Sequence, residues 1–330
     1  MTDVTRKTIL SGMRPTGKLH LGHWTGALEN WVALQDAYSN FHLVADYHAL
    51  TTNLDTSGLY QNTIDMVIDW LAGGIDPEKS PVFRQSRIKE HTELHLIFSM
   101  LITKNRLERN PSIKEQVRDL DIENIAYGHL GYPVLQAADI LLYRGDLVPV
   151  GEDQLSHVEI TREIARRFNA TWGEVFPEPE PKLTKFARLP GLDGKDKKMS
   201  KSMNNTILLS DDTDTVWQKL RKAPTDVQKV RRNDPGRPEV CLVYTYHEKF
   251  NPSETAEIAE GCRSGELGCV DCKKRCAARI DSFLAPHREQ RARYEARPDM
   301  VEEILQDGET RARRRAEETM HAVRDAMKLG

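Results

Sequence analysis

Residues 7–11 form a short apolar run that ends in a turn marked by Gly12, Pro15 and Gly17. From 21 to 36 the apolar positions return every three or four residues. That change of period predicts strand, glycine-rich turn, helix. The succession repeats: a buried strand over 41–45 between Asn40 and Asp46, helical spacing over 54–72, a strand over 81–85, and another over 147–150. Strand and helix alternating through the first 190 or so residues predict an α/β fold, a doubly wound parallel sheet of Rossmann type, with ligands at the carboxyl ends of the strands. Beyond residue 209 the spacing is helical almost throughout and ends in a helix over 299–329, so the second domain is expected to be all-α. The expected division is 1–209 and 210–330, in keeping with a prior of about 150 residues per domain.

Composition narrows the class. Hydrophobic residues make up 39% and charged residues 29% of 330, which is globular and neither disordered nor fibrous. No apolar run approaches the ~20 residues of a membrane helix. At the N-terminus Arg6 and Lys7 precede only Ile9 and Leu10 before polar residues and Pro15, so no signal-peptide core is expected and the cytoplasm is the expected location. The net charge of -3 argues against a general nucleic-acid coat protein. It is unevenly spread, however: residues 1–180 carry -8 and the remainder +5, so a polyanion would favour the second half.

Two motifs could carry chemistry. His20 and His23, in Gly17-Lys18-Leu19-His20-Leu21-Gly22-His23, sit between the first strand and the first helix. Unpaired backbone N–H groups at a helix start favour phosphate there, and Gly22 would let a nucleotide approach the backbone. Lys197-Lys198-Met199-Ser200-Lys201-Ser202, flanked by Gly191, Gly194 and Asn204-Asn205, reads as a loop whose lysines could fold over a triphosphate and offset charge as pyrophosphate departs. A surface histidine pair and a solvated basic loop are the plainer accounts of each motif alone. Asp139 interrupts the apolar run 134–142 on a helix started by Pro133, and a carboxylate in that setting needs a partner, Arg144 being one candidate.

Taken in order, the His20-Leu21-Gly22-His23 turn and the Lys198-Met199-Ser200-Lys201-Ser202 loop resemble the two signatures of class I aminoacyl-tRNA synthetases. The segments 11–17, 137–143 and 148–154 are similar to the tryptophanyl branch of that family, and the resemblance spans nearly the whole chain. It implies a two-step ligase using ATP and Mg2+, with L-tryptophan and tRNA(Trp) as partners, a homodimer, and no covalent enzyme intermediate. On that resemblance, Lys198, Lys201, His20 and His23 would be catalytic. Arg14, Pro15, Thr16, Gly22, His23, Gly151, Glu152, Asp153 and Leu189 would bind ATP, together with Lys198, Met199, Ser200, Lys201 and Ser202. Asp139 would accept the indole N–H, with Tyr132, Gln136, Gln154 and His48 beside it. Many members carry Gln at the position of Arg14, so Arg14 could serve phosphate or carboxylate. The rival readings are a tyrosyl-tRNA synthetase, which the Gln136 and Asp139 pair permits, and a non-catalytic paralogue that binds tRNA or a partner enzyme.

All five cysteines, Cys241, Cys262, Cys269, Cys272 and Cys276, fall within 36 residues. In a reducing compartment metal binding is a better explanation than disulfides. Cys241, Cys262, Cys269 and Cys272 could hold zinc or a four-iron four-sulfur (4Fe-4S) cluster. Only Cys269 and Cys272 form a C-x-x-C pair, and the pattern resembles the bacterial tryptophanyl enzymes that carry a 4Fe-4S cluster in the helical anticodon-binding domain. Basic residues interleaved with Trp217, Tyr244 and Tyr246 would suit anticodon phosphates and bases there.

Overall fold

The computed structural model describes residues 6–119, 121–151, 154–183 and 189–329, with the backbone alone at 119. Two compact units emerge, Met1–Gly17 with Glu29–Lys185 and Arg297–Gly330, and Lys18–Leu28 with Phe186–Ala296. The boundary expected near residue 209 falls inside the second unit, and the last helix belongs to the first.

The first unit is built on five parallel strands, β1 (Thr8–Met13), β2 (Ser39–Val44), β3 (Val82–Arg84), β4 (Leu147–Val150) and β5 (Glu180–Leu183), in the order β3-β2-β1-β4-β5. This is the doubly wound sheet expected, reversing direction of growth on either side of β1. Leu10 pairs with Phe41, Leu43 with Phe83, and Ile9 with Leu147. Strands buried on both faces need near-continuous apolar runs, which is why β1 to β4 are legible in the sequence, whereas β5, polar and mostly exposed, is not among the strands expected. The helix Tyr132–Leu142 packs into the core with Val134, Ala137, Ala138, Leu141 and Leu142, all almost fully buried.

Ala312, Ala316, Met320 and Val323 of the last helix, Pro298–Met327, enter the same core. Two features dock it onto β3. Arg84 reaches Glu302 at 2.7 Å and also binds Glu309. At Gly308 a Cβ would lie 2.0 Å from the Val82 carbonyl oxygen, so only glycine allows the helix so close. A periodic apolar stripe announces a helix but does not say which surface it covers.

Within the second unit the described regular elements are helical, Thr213–Leu220, Leu242–Phe250, Thr255–Ser264 and Cys269–Glu295 among them. Val216, Leu220, Val243, Ile280 and Leu284 are fully buried, and Tyr246 donates to the Pro190 carbonyl at 2.7 Å. Where a continuous helix was expected over 21–36, the chain makes Leu21–His23, a π-helical turn Trp24–Leu28, and Glu29–Leu34. Among the described residues no helix is long and apolar enough to cross a membrane.

Gly308→Ala is expected to destabilise the protein by about 1–3 kcal/mol, because the added methyl must push the last helix off β3. Denaturant unfolding of the full chain measures this; a midpoint equal to the parent's would show that the helix is not held by that contact.

Candidate functional site

The second unit brings the histidine turn and the lysine loop together. His20 is extended (φ -121°, ψ 169°) and caps the turn Leu21–His23, its Nδ1 accepting from the His23 N–H at 3.3 Å. In return the His20 N–H donates to His23 Nδ1 at 3.3 Å, and the rings stack with centroids 3.7 Å apart. With both Nδ1 atoms accepting, each neutral ring carries its proton on Nε2, which fixes the tautomer a ligand would meet. Burial first, and then Lys201 and Lys198, lower the His20 pKa to about 4; burial, His20 and the same lysines lower His23 to about 3. Near neutral pH both rings are therefore uncharged donors, and positive charge comes from the lysines.

Backbone bonds from Leu21 to Ile207 and from Leu209 to Leu19, each 2.9 Å, stitch the turn to the segment that follows the lysine loop. The Gly22 N–H faces Met199 Sδ at 3.2 Å, and a Cβ at Gly22 would lie 3.0 Å from the His20 ring. Buried Asn205 shapes the loop. It accepts from the Ser200 N–H at 2.7 Å and donates to Asp193 at 2.7 Å and to the Lys198 carbonyl at 2.8 Å. Lys201 Nζ donates to the Lys18 carbonyl at 2.9 Å, while exposed Lys198 makes no side-chain bond to any described residue. Ser200 and Ser202 hydroxyls lie 2.8 Å apart, and Leu189 is buried beside Pro190, which bridges to Lys198.

In the first unit, the loops at the carboxyl ends of β2 and β3 converge on Asp139, which is 2% exposed. His48 Nε2 lies 2.8 Å from its Oδ2, and His91 Nδ1 and Gln85 Nε2 each lie 2.7 Å from its Oδ1. Burial alone would raise the Asp139 pKa, but hydrogen bonding and charge interaction with His48 and His91 hold it well below the usual carboxylate range. Arg144, the partner considered from sequence, does not take that role. The Tyr143 hydroxyl lies 2.9 Å from His91 Nε2, and burial keeps it protonated. Gln85 is aimed by the Tyr47 N–H, which donates to its Oε1 at 3.1 Å.

Tyr132 lies edge-on to His48 at 6.4 Å, and its hydroxyl is engaged by His157 at 2.7 Å and Gln116 at 3.0 Å. Tyr132 therefore presents a ring, not a hydroxyl, to this pocket. Half-buried Gln136 shares its helix. Gly151 follows β4, and the Gln154 N–H donates to its carbonyl at 3.1 Å, while Glu152 and Asp153 lie outside the described residues. After β1, exposed Arg14 donates to Thr52 at 3.2 Å, Pro15 is buried and Thr16 is exposed.

Cys241, Cys262, Cys269 and Cys272 interact electrostatically with one another, and none is in a disulfide. Burial, then the other three thiols, pushes Cys272 up to about 12. Cys272 Sγ lies 3.4 Å from His247 Nε2. Among the described residues, however, no three His, Cys, Asp or Glu side chains are arranged to hold a metal ion.

Sequence reasoning missed Asn205, Gln85, His91 and Tyr143. Gln85 immediately follows a strand, a position that could have marked it. His91 and Tyr143 gave no signal, since their contacts with Asp139 and each other exist only after folding.

The family model described as class I tRNA synthetases (W and Y) matches residues 3–285. The chain is 50% identical to the tryptophan–tRNA ligase of Thermotoga maritima, over 97% of this chain and 99% of that protein. It is 42% identical to the same enzyme of Aquifex aeolicus, over 97% and 99%. Its fold is similar to that of Campylobacter jejuni tryptophanyl-tRNA synthetase complexed with ADP and tryptophan, with a TM-score of 0.88 and 34% identity over 98% and 100% of the two chains.

The depressed histidine pKa values make a pH prediction. The unfolded chain takes up protons near pH 6.5, whereas the folded His20 and His23 resist until about 4 and 3. Stability from this pair is therefore complete above pH 6.5 and is lost as pH falls from 6.5 toward 4. Urea unfolding of the parent should weaken more steeply over that range than that of a His20→Asn, His23→Asn double variant; parallel curves would contradict the neutral, buried pair.

Proposed function

This chain belongs to the class I tRNA synthetases for tryptophan and tyrosine, and from that membership we propose how it works as a tryptophan–tRNA ligase. L-Tryptophan is activated with ATP and Mg2+ and then joined to tRNA(Trp). The tryptophan carboxylate attacks the α-phosphorus, the bond to the β-phosphate oxygen breaks and pyrophosphate leaves. A hydroxyl of the terminal tRNA ribose then attacks the adenylate carbonyl, and AMP leaves. Lys198 and Lys201 stabilise the charge that develops on pyrophosphate, which the ground state needs less. Neutral His20 and His23 donate from Nε2. Gly22 keeps a side chain out of the turn, and ATP binding is assigned to Met199, Ser200, Ser202 and Leu189 and, on the family resemblance, to Arg14, Pro15, Thr16, Gly151, Glu152 and Asp153.

The observation that carries the tryptophan reading is the ionised, buried Asp139. Indole offers one N–H and no acceptor, so its recognition requires a fixed acceptor in a dry pocket. His48, His91 and Gln85 fix that carboxylate, and among the described residues Oδ2 engages His48 alone. The Tyr132 ring, Gln136 and Gln154 complete the amino-acid site. With the last helix in the first unit, residues 210–296 are assigned to anticodon recognition, the enzyme is expected to act as a homodimer in the cytoplasm, and the tyrosyl alternative is disfavoured by the tryptophan ligases it resembles over nearly full length.

For Cys241, Cys262, Cys269 and Cys272 we retain a 4Fe-4S cluster as the proposal, with Zn2+ as the second reading. Its support is the donor set: four thiols within electrostatic reach of one another and free of disulfides, whose mutual repulsion as thiolates a metal would relieve. The described side chains are not closed around an ion, so the group is given a structural role and no part in the chemistry.

Asp139→Ala should weaken tryptophan use by about 1–3 kcal/mol while leaving the KM for ATP within about twofold. Tryptophan-dependent ATP–pyrophosphate exchange measures both, and Asp139→Asn supplies a variant that keeps the pocket filled. Exchange kinetics unchanged in both variants would reject the role. Anaerobically purified protein should be brown and contain iron with acid-labile sulfide; one zinc per colourless chain would favour the second reading, and no metal would reject both.

A further inference from the structure

The first unit has a second concave site, at the opposite pole of its sheet. A cavity of about 530 Å³ opens at the amino ends of the strands, lined by Thr8, Ser39 and Pro81, which begin or precede β1, β2 and β3. Asp139 is approached from loops at the carboxyl ends, and β1 alone spans roughly 17 Å between the poles. Arg6, Lys79, Arg311, Arg314 and Arg315 line the cavity, against a single carboxylate, Glu318.

Some of that charge is already met. Lys79 lies 2.8 Å from Asp36, Arg311 donates to the Pro77 and Glu78 carbonyls and to Asp307, and Arg315 lies 3.4 Å from Glu318. Among the described residues Arg6 and Arg314 make no ion pair, although Asp36 lies within electrostatic reach of Arg6. Arg144, within electrostatic reach of Arg315, has a left-handed backbone (φ 51°) and a buried Nε without a partner. Where several guanidinium groups line one concavity, an anion seated among them relieves their mutual repulsion. The half-buried Phe41 ring forms part of the wall, stacked on its other neighbour Tyr143 at 4.9 Å. The basic segment Arg311 to Arg315 of the last helix thus forms one side of the pocket.

We propose that this cavity binds a phosphate-bearing small molecule of nucleotide size, its phosphates on Arg6, Arg314 and Arg315 and its ring against Phe41. The volume is within the usual range for small-ligand sites, about 300–1,000 Å³. An RNA backbone would instead follow a longer open stripe of cations. Fork-shaped guanidinium donors and the Thr8 and Ser39 hydroxyls suit phosphate oxygens. The site is separate from the groups assigned to the ligase reaction and does not depend on that reading.

Equilibrium dialysis of GTP against the full-length protein tests it, with the ATP site filled by a non-hydrolysable tryptophanyl-adenylate analogue. One GTP per chain is expected, displaced by inorganic tripolyphosphate and weakened at least tenfold by Arg314→Glu and by an Arg6→Ala, Arg314→Ala double variant. Arg314 is exposed, so Arg314→Glu should retain the parent's melting temperature and its ATP–pyrophosphate exchange. No saturable binding, binding that the variants leave intact, or a loss confined to tRNA affinity would each overturn the proposal.

Discussion

A carboxylate taken out of water must be paired, and Asp139 shows what that requirement imposes on the first unit. Its helix is apolar at nearly every other position, so the charge cannot turn to solvent. His48 comes from the short helix Asp46–Leu50 after β2, Gln85 from the turn that follows β3, and His91 from the helix Glu90–Ser99. Each must arrive within hydrogen-bond distance or the fold carries an unpaired buried charge, a cost of several kcal/mol. The result is a buried carboxylate whose orientation is fixed by the protein itself.

The second unit solves a different problem, holding two lysines beside a pair of buried histidines. Backbone bonds tie the histidine turn to the strand-like segment 207–209, and Asn205 clamps the loop from within. Lys201 is held at the Lys18 carbonyl while Lys198 projects into solvent. Histidine rings kept neutral by burial add directed donors without further positive charge beside the lysines. Positioning and electrostatics of this kind suit a reaction in which no side chain becomes covalently attached.

Parallel sheets separate their two poles, and this chain furnishes both. At the carboxyl pole the segments after β2 and β3 converge on Asp139. At the amino pole the docking of Pro298–Met327 through Arg84 and Gly308 sets a run of arginines beside the ends of the strands. A contact whose evident task is stability thereby also builds a cationic concavity.

The sequence by itself determined the doubly wound sheet, the helical character beyond residue 209, and the residue types of both motifs. Local periodicity and turn chemistry act over a few residues, so a one-dimensional reading can find them. It also marked Asp139, because a charge inside an apolar helix is conspicuous wherever it lies. The partners of that charge were beyond it: His48 and His91 stand 91 and 48 positions away, and no spacing rule links them. The same limit applies to Asn205, to the π-helical turn after His23, and to the last helix. An amphipathic stripe specifies that a face will be buried, but the surface that buries it is chosen by shape, here a glycine against the Val82 carbonyl and an arginine between two glutamates. Those choices are made by packing in three dimensions, and only the tertiary structure decided them.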